Sequence, residues 1–264
     1  RRHDDDYTLG RSMTSVTVAT INIHQRRDRW RERRHLIVAE ILNHLPDLIA
    51  IQEVSLFYRQ GQWLLSQVNA RSSGLRREPY RLVQQRRPGD LFTGVAIFSR
   101  LPLLSHDGLG LGEGNVALRA NVLLPTGRLL DFATARLHPG LVLPETREEQ
   151  AMRLMGWLNA TGRAPLQVIA GSFNEKPDGP AVQSIRQAYR SAYALCHGRE
   201  PIATYPTALV TGDDEARCLD YVFISRGIQA SAARLIFRRP SPDDRTLYPS
   251  DHVGLLVRLE IDEN

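Results

Sequence analysis

Six apolar stretches of this chain carry a polar, chemically capable side chain at one end. Asn22 follows TSVTVATI, Glu53 follows LIAIQ, and His138 follows ATARL. Ser172 and Asn174 follow QVIA, Asp220 opens DYVFI, and Asp251-His252 precede VGLLV. Strand ends collect functional groups because a rigid sheet fixes them while the adjoining loops leave them accessible. Taken singly, each is ordinary. An Asn after a strand is commonly a turn residue, a Glu there a solvated carboxylate, a His a surface or hydrogen-bonded group. Asp220 is harder to set aside, since a carboxylate in an apolar strand needs a partner, and His252 is a candidate for it. As a set, the residues suit phosphoester chemistry. Glu53 and Asp251 are hard oxygen ligands of the kind Mg²⁺ takes. Asn22 and Asn174 can donate amide hydrogens to phosphate oxygens, and a His oriented by Asp220 can act as acid, base or oxyanion clamp. Charge neutralisation, an aligned water and help for the leaving oxygen are what such a reaction requires.

The elements that must position these groups can be read from residue periodicity. Alternating β-branched and small residues over Thr14–Ile21 predict a strand. Trp30, Ile37, Ile41 and Leu45 share a face, which predicts a helix over Trp30–Leu45 that Pro46-Asp47 stops. Leu48–Gln52 is a buried strand, a second helix covers about 57–70, and strands follow near 80–85 and 93–99. Residues 105–115, SHDGLGLGEGN, are expected to form a Gly-rich loop. A hairpin is predicted over Leu118–Leu124 and Leu129–Ala135. A helix near 145–160, the strand Gln167–Ala170 and a helix near 179–190 come next, then strands near 219–225, 228–237 and 253–260. Hairpins mixed with β-α-β crossovers predict an α/β protein with mixed sheets covered by helices. Residues 1–12 are polar and expected to be poorly ordered, with one domain over 13–264.

Composition adds weaker constraints. The 264 residues are 42% hydrophobic, enough to bury a core, and no apolar run is long enough to cross a membrane. No leader is visible, so a cytoplasmic location is expected. The net charge of +5 favours polyanionic partners, although spread over this length it is mild. Lys176 is the only lysine, so the basic surface is almost wholly Arg, the better bidentate phosphate ligand. Cys196 and Cys218 lack metal-like spacing and are expected to be free thiols.

The order of these segments resembles the endonuclease/exonuclease/phosphatase superfamily over about residues 14–262. VATINIH is similar to the opening strand with its Asn22, PDLIAIQEV to the metal-ligand segment with Glu53, and TGVAIFSRLPL to the G-x-A-I-x-S-R segment. ARLHPG is similar to the strand ending in the catalytic His, here His138; a register placing Thr134-Ala135 there is the alternative. IAGSFNEKPDG is similar to the G-D-F-N segment, CLDYVFIS to L-D-Y-I-F, and YPSDHVGL to the terminal S-D-H. The resemblance implies a four-layer α-β-β-α sandwich of two mixed sheets packed face to face, with helices outside. It implies a Mg²⁺-dependent phosphoester hydrolase, with Mn²⁺ as a substitute ion. Glu53 would bind the metal with Asn22 and Asp251 beside it. Asn22, Asn174, His138 and His252 would contact the phosphate, and Asp220 would orient His252.

Ser172 departs from that pattern by standing where G-D-F-N has Asp. A hydroxyl is a poor base, so reduced turnover is expected; a non-catalytic phosphate- or nucleic-acid-binding module on the same fold is the alternative. Nucleic acid, phospholipid headgroups and small phosphoesters all remain open as substrates, and a monomer is expected. The run Arg26, Arg27, Arg29, Arg31, Arg33 and Arg34 is read equally well as a phosphate-tracking patch or as a solvated helix face. Aromatic residues are sparse, so no base-stacking platform is expected.

Overall fold

The computed structural model describes residues 12–74, 78–89, 92–140, 144–212 and 214–263. The N-terminal stretch expected to be poorly ordered lies outside these residues except for Ser12. In chain order the elements are β1 (Met13–Asn22), α1 (Trp30–His44), β2 (Leu48–Ser55), α2 (Gln60–Ser72), β3 (Arg81–Arg86) and β4 (Thr93–Ser99). Next come β5 (Leu103–Gly112), β6 (Asn115–Leu123), β7 (Leu129–Arg136), α3 (Pro144–Thr161), β8 (Leu166–Ser172) and α4 (Pro180–Arg186). The chain closes with β9 (Arg190–Ser191), α5 (Ala192–His197), β10 (Asp220–Ile224), β11 (Ile228–Ile236) and β12 (Gly254–Asp262).

Two six-stranded sheets result, ordered β11-β12-β1-β2-β4-β3 and β5-β6-β7-β8-β10-β9. Both are mixed. β1 and β2 run parallel, joined through α1, and β7 and β8 run parallel, joined through α3. The inner faces meet in an apolar layer that includes Val16, Val18, Leu48 and Ala50 from the first sheet and Leu130, Phe132, Val168, Ala170 and Val222 from the second. Ile37, Val38, Ile41, Leu64 and Val68 of α1 and α2 cover the outside of the first sheet. Ala151, Leu154 and Leu158 of α3, with Val182 and Ile185 of α4, cover the outside of the second. The four-layer α-β-β-α sandwich is therefore what the chain forms. No helix among the described residues is long and apolar enough to cross a membrane, and both cysteines are free thiols.

Residues 105–112, expected in a loop, instead form most of β5, an edge strand antiparallel to β6. Its exposure alternates residue by residue. Glycine content argued against a strand, but β6 supplies the backbone partners, and Asp107 closes on the buried Arg119 at 2.6 Å. Pairing has overridden local propensity. The helix expected to 190 ends at Arg186, and a short strand and helix, β9 and α5, follow it.

Gly171 shows how tightly the second sheet is built at the end that matters. A Cβ there would lie 2.1 Å from the Ala135 carbonyl oxygen. Gly171→Ala is expected to push β7 from β8, lowering stability by roughly 1–3 kcal/mol, as chemical denaturation would measure.

Candidate active site

The same ends of the two parallel pairs face each other across the sandwich. In β7, Leu130 and Phe132 point into the apolar layer, and strand alternation puts Thr134 and Arg136 on that face. Register then aligns Arg136 with Ser172, and Ser172 with Asp220. Opposite them, Val16 and Val18 lead by the same alternation to Thr20 and Asn22 on β1. The apolar core stops at a polar layer between the sheets. Gln52 Nε2 donates to Thr20 Oγ1 at 3.1 Å and to Thr134 Oγ1 at 2.9 Å. Above this layer lie the candidate residues.

Glu53 reaches them through a break in the strand. Gln52 faces inward, so plain alternation would turn Glu53 away. The β2–β4 register shifts between Ile51 and Val54, and Glu53 has φ 56°. A bulge of this kind re-aims a side chain, and Glu53 Oε1 lies 3.1 Å from Asn22 Nδ2. Asn174 likewise has φ 51°, and its Nδ2 donates to the Leu137 carbonyl at 2.7 Å. Left-handed backbone at non-glycine residues costs energy and gathers at functional sites.

Asp220 and His252 are paired as expected, Oδ2 to Nδ1 at 2.8 Å, and both are buried. Thr204 Oγ1 donates to the same Oδ2 at 2.6 Å, and the Tyr205 ring lies 4.9 Å from the imidazole. Asp220 Oδ1, Ser172 Oγ and His138 Nδ1 are buried with no hydrogen-bond partner among the described residues. His138, Asn174, Glu53, His24 and Asp251 line one cleft of about 860 Å³, with Arg27, Arg87, Arg136, Arg147, Lys176 and Arg217. Asn22, Ser172, Asp220 and His252 lie outside that lining, as buried residues around it.

Burial opposes the His252 charge, but Asp220, with Asp251 and Glu53 nearby, outweighs it and raises the pKa to about 9. A histidine whose pKa is raised on folding adds stability that is fully present below its unfolded value of about 6.5 and lost as pH rises through about 9. The loss between these limits is expected to be on the order of 3 kcal/mol. Thermal unfolding between pH 6 and 9.5 should show it, and His252→Asn should flatten that part of the profile.

The residues expected to hold Mg²⁺ are brought together but already committed. Glu53 Oε1 accepts from Arg136 Nε at 2.8 Å and from Asn22, and Arg136 Nη2 lies 2.7 Å from the same oxygen. Burial works against this carboxylate, yet Arg136 and the Asn22 amide outweigh it and hold its pKa below the ordinary value. Asp251 Oδ2 contacts His24 Nδ1 at 2.8 Å, and its Oδ1 lies 3.0 Å from Ser250 Oγ. Desolvation is again overcome, chiefly by His24 and then His252, and the Asp251 pKa falls to about 2. No metal-binding group of three or more His, Cys, Asp or Glu occurs among the described residues. The arrangement as it stands does not fit a divalent cation.

Sequence reasoning did not single out Arg136. The available signal was a charged residue at the inward parity of an apolar strand, two positions before His138. The arginine run, by contrast, disperses. Arg29 pairs with Glu32 and Asp244, Arg26 covers the Tyr58 ring, and Arg34 covers Trp63. Arg33 is fully buried, and of the run Arg27 lines the cleft. The fold also gathers an exposed aromatic cluster that was not evident in the sequence. Phe57, Tyr58 and Phe92 are exposed and gathered, with Phe57 centred 5.0 Å from Tyr58 and 5.3 Å from Phe92. They come from two segments that meet where Leu56 N donates to the Phe92 carbonyl.

Known proteins share this architecture. Nocturnin of Xenopus laevis is 26% identical over 261 residues, covering 89% of this chain and 66% of that protein's length. Among solved structures, an endonuclease/exonuclease/phosphatase family protein from Bacteroides thetaiotaomicron superposes with TM-score 0.77 at 17% identity, over 95% of this chain and 99% of that one. The human Nocturnin catalytic domain with bound sulfate anion gives 0.75 at 21%, over 95% and 97%. These two likenesses bear on the fold. Residues 19–252 match the endonuclease/exonuclease/phosphatase family across most of the chain, so the chain belongs to that family.

Proposed function

We propose that the cleft recognises a phosphoester and hydrolyses it far more slowly than a fully equipped site of this family would. Family membership supports the substrate class, because its members are metal-dependent phosphoesterases. The observation that carries the reduced rate is Ser172. It sits at the end of β8 between Arg136 and Asp220, buried, where this reading requires a water-aligning carboxylate. Its Oγ can donate and accept a hydrogen bond but cannot take up a proton from water at neutral pH. A positioned general base contributes about 10²–10⁴ in rate, which is roughly 3–5.5 kcal/mol of barrier.

The other groups take roles consistent with their positions. His252, kept cationic beside Asp220, supplies positive charge to a phosphoryl oxygen. His138 and Asn174 line the cleft and offer polar atoms to the same group. The loss of a base leaves these contacts in place, so binding outlasts chemistry. Isothermal titration with a non-hydrolysable phosphodiester analogue, run beside turnover of bis(p-nitrophenyl) phosphate, tests this reading. Saturable binding with turnover barely above background is expected. Turnover at the rate of an intact family enzyme, or no binding at all, would overturn it.

A further inference from the structure

Arg136 forms a largely buried ion pair in the cleft. It ends β7, and strand alternation carries its guanidinium across the gap between the sheets to Glu53. Nε and Nη2 lie 2.8 and 2.7 Å from Oε1, and Asn22 Nδ2 reaches the same oxygen at 3.1 Å. Oε2 accepts from Gln25 Nε2 at 3.3 Å. An ionised carboxylate offers about four lone-pair sites on its two oxygens. Arg136 and Asn22 take up Oε1 and Gln25 reaches Oε2, so a metal at Oε1 would have to displace the guanidinium. The side chains of Glu53 and Arg136 are each only 11% exposed, so water does little to weaken the pair. A guanidinium does not deprotonate at neutral pH, which makes this cation permanent.

We infer that Arg136 is the resident cation of the cleft, occupying at Glu53 the place a divalent ion would take, so that phosphate-type anions bind here without metal. The ligand class is a tetrahedral oxyanion, and this inference rests on the phosphoester reading above. Arg136 Nη1 makes no hydrogen bond among the described residues, so one donor edge remains for a ligand. Glu53 becomes a positioning residue that holds the guanidinium in the cleft. Asp251 is likewise engaged, its Oδ2 lying 2.8 Å from His24 Nδ1.

Glu53→Gln separates the two arrangements. If Glu53 held a metal, the variant would lose both ion binding and metal-assisted anion binding. If Glu53 only positions Arg136, anion binding persists, weakened at most modestly, because the amide oxygen of glutamine can still accept from the guanidinium. The experiment titrates Mn²⁺ by the loss of its free-ion paramagnetic resonance signal, and inorganic phosphate by calorimetry in EDTA and in Mg²⁺. Wild type is expected to show no Glu53-dependent Mn²⁺ binding, and equal phosphate affinity with and without Mg²⁺. Glu53→Gln should keep phosphate binding in EDTA, and Arg136→Ala should weaken it about tenfold or more. Arg136→Ala should also gain Mn²⁺ binding, and the Arg136→Ala/Glu53→Gln double variant should lose it again. Mn²⁺ binding by wild type that disappears in Glu53→Gln would overturn the inference. The wild-type and Glu53→Gln comparison stands even where Arg136→Ala fails to fold, which circular dichroism would reveal. Phosphate that binds under no condition removes the phosphoester reading and the anion half of this inference. The Mn²⁺ titration still decides which cation meets Glu53.

Discussion

Ser172→Asp is expected to raise phosphodiester hydrolysis by about 10²–10⁴ once Glu53 is also opened by Arg136→Ala, assayed with Mg²⁺. In the otherwise wild-type chain the gain should be smaller, because the restored carboxylate would still work beside a committed Glu53. Geometry sets both expectations. Ser172 is in register with Arg136 on one side and Asp220 on the other, and all three face the gap between the sheets. A carboxylate at 172 would lie next to Asp220, whose Oδ1 is buried without a partner. Burial and that like charge oppose its ionisation, whereas Arg136 favours it. Some stability should therefore be lost as activity is gained, and more in the double variant. The two changes touch one network, so their effects should not add. Steady-state rates in both backgrounds, with thermal unfolding of each, make the check. No gain in either background would mean that position 172 does not serve water activation.

Replacing Arg33 should produce the largest loss of stability. Its guanidinium is fully buried and hydrogen-bonded to backbone carbonyls alone. Nε donates to Asp28 at 2.8 Å, Nη1 to Ile23 at 2.8 Å and Pro249 at 3.0 Å, and Nη2 to His24 at 3.1 Å and Gln25 at 3.0 Å. Burial lowers its pKa to about 10, so it stays charged at neutral pH. The carbonyls it gathers belong to a loop in which His24, Gln25, Asp28 and Arg29 all have positive φ. The Pro249 carbonyl ties that loop to the segment bearing Asp251 and His252. Arg33→Leu would strand these acceptors away from water, at an expected loss of roughly 3–5 kcal/mol. Arg33→Lys should recover little, because one ammonium cannot span so many acceptors. Urea denaturation measures the loss. Wild-type stability in Arg33→Leu would show that the loop holds itself.

Arg33 also illustrates why the arginine run could not be interpreted from spacing. Its neighbours in sequence face solvent, aromatic rings or the cleft. Which of these each side chain meets depends on where the helix packs and how the preceding loop turns. Phe57 and Phe92 lie far apart in sequence and meet because β2 pairs with β4.

The strands and the groups at their ends were legible because side-chain alternation is local. Asn22, His138, Ser172, Asp220 and His252 could be named from apolar stretches with polar ends, and the pairing of Asp220 with His252 from the cost of burying a lone carboxylate. Mixed sheets covered by helices followed from strands that mix hairpins with helical crossovers, and the four-layer sandwich from the resemblance of the ordered segments to the family. What only the tertiary structure decided was which charges meet. Glu53 enters the site through a bulge and a left-handed backbone, which no alternation pattern records. Arg136 reaches it from the other sheet, across a gap whose width depends on how the two apolar faces pack. Alternation along a strand determines the side a residue faces. Contact between sheets determines its partner there, and at Glu53 that partner is a guanidinium.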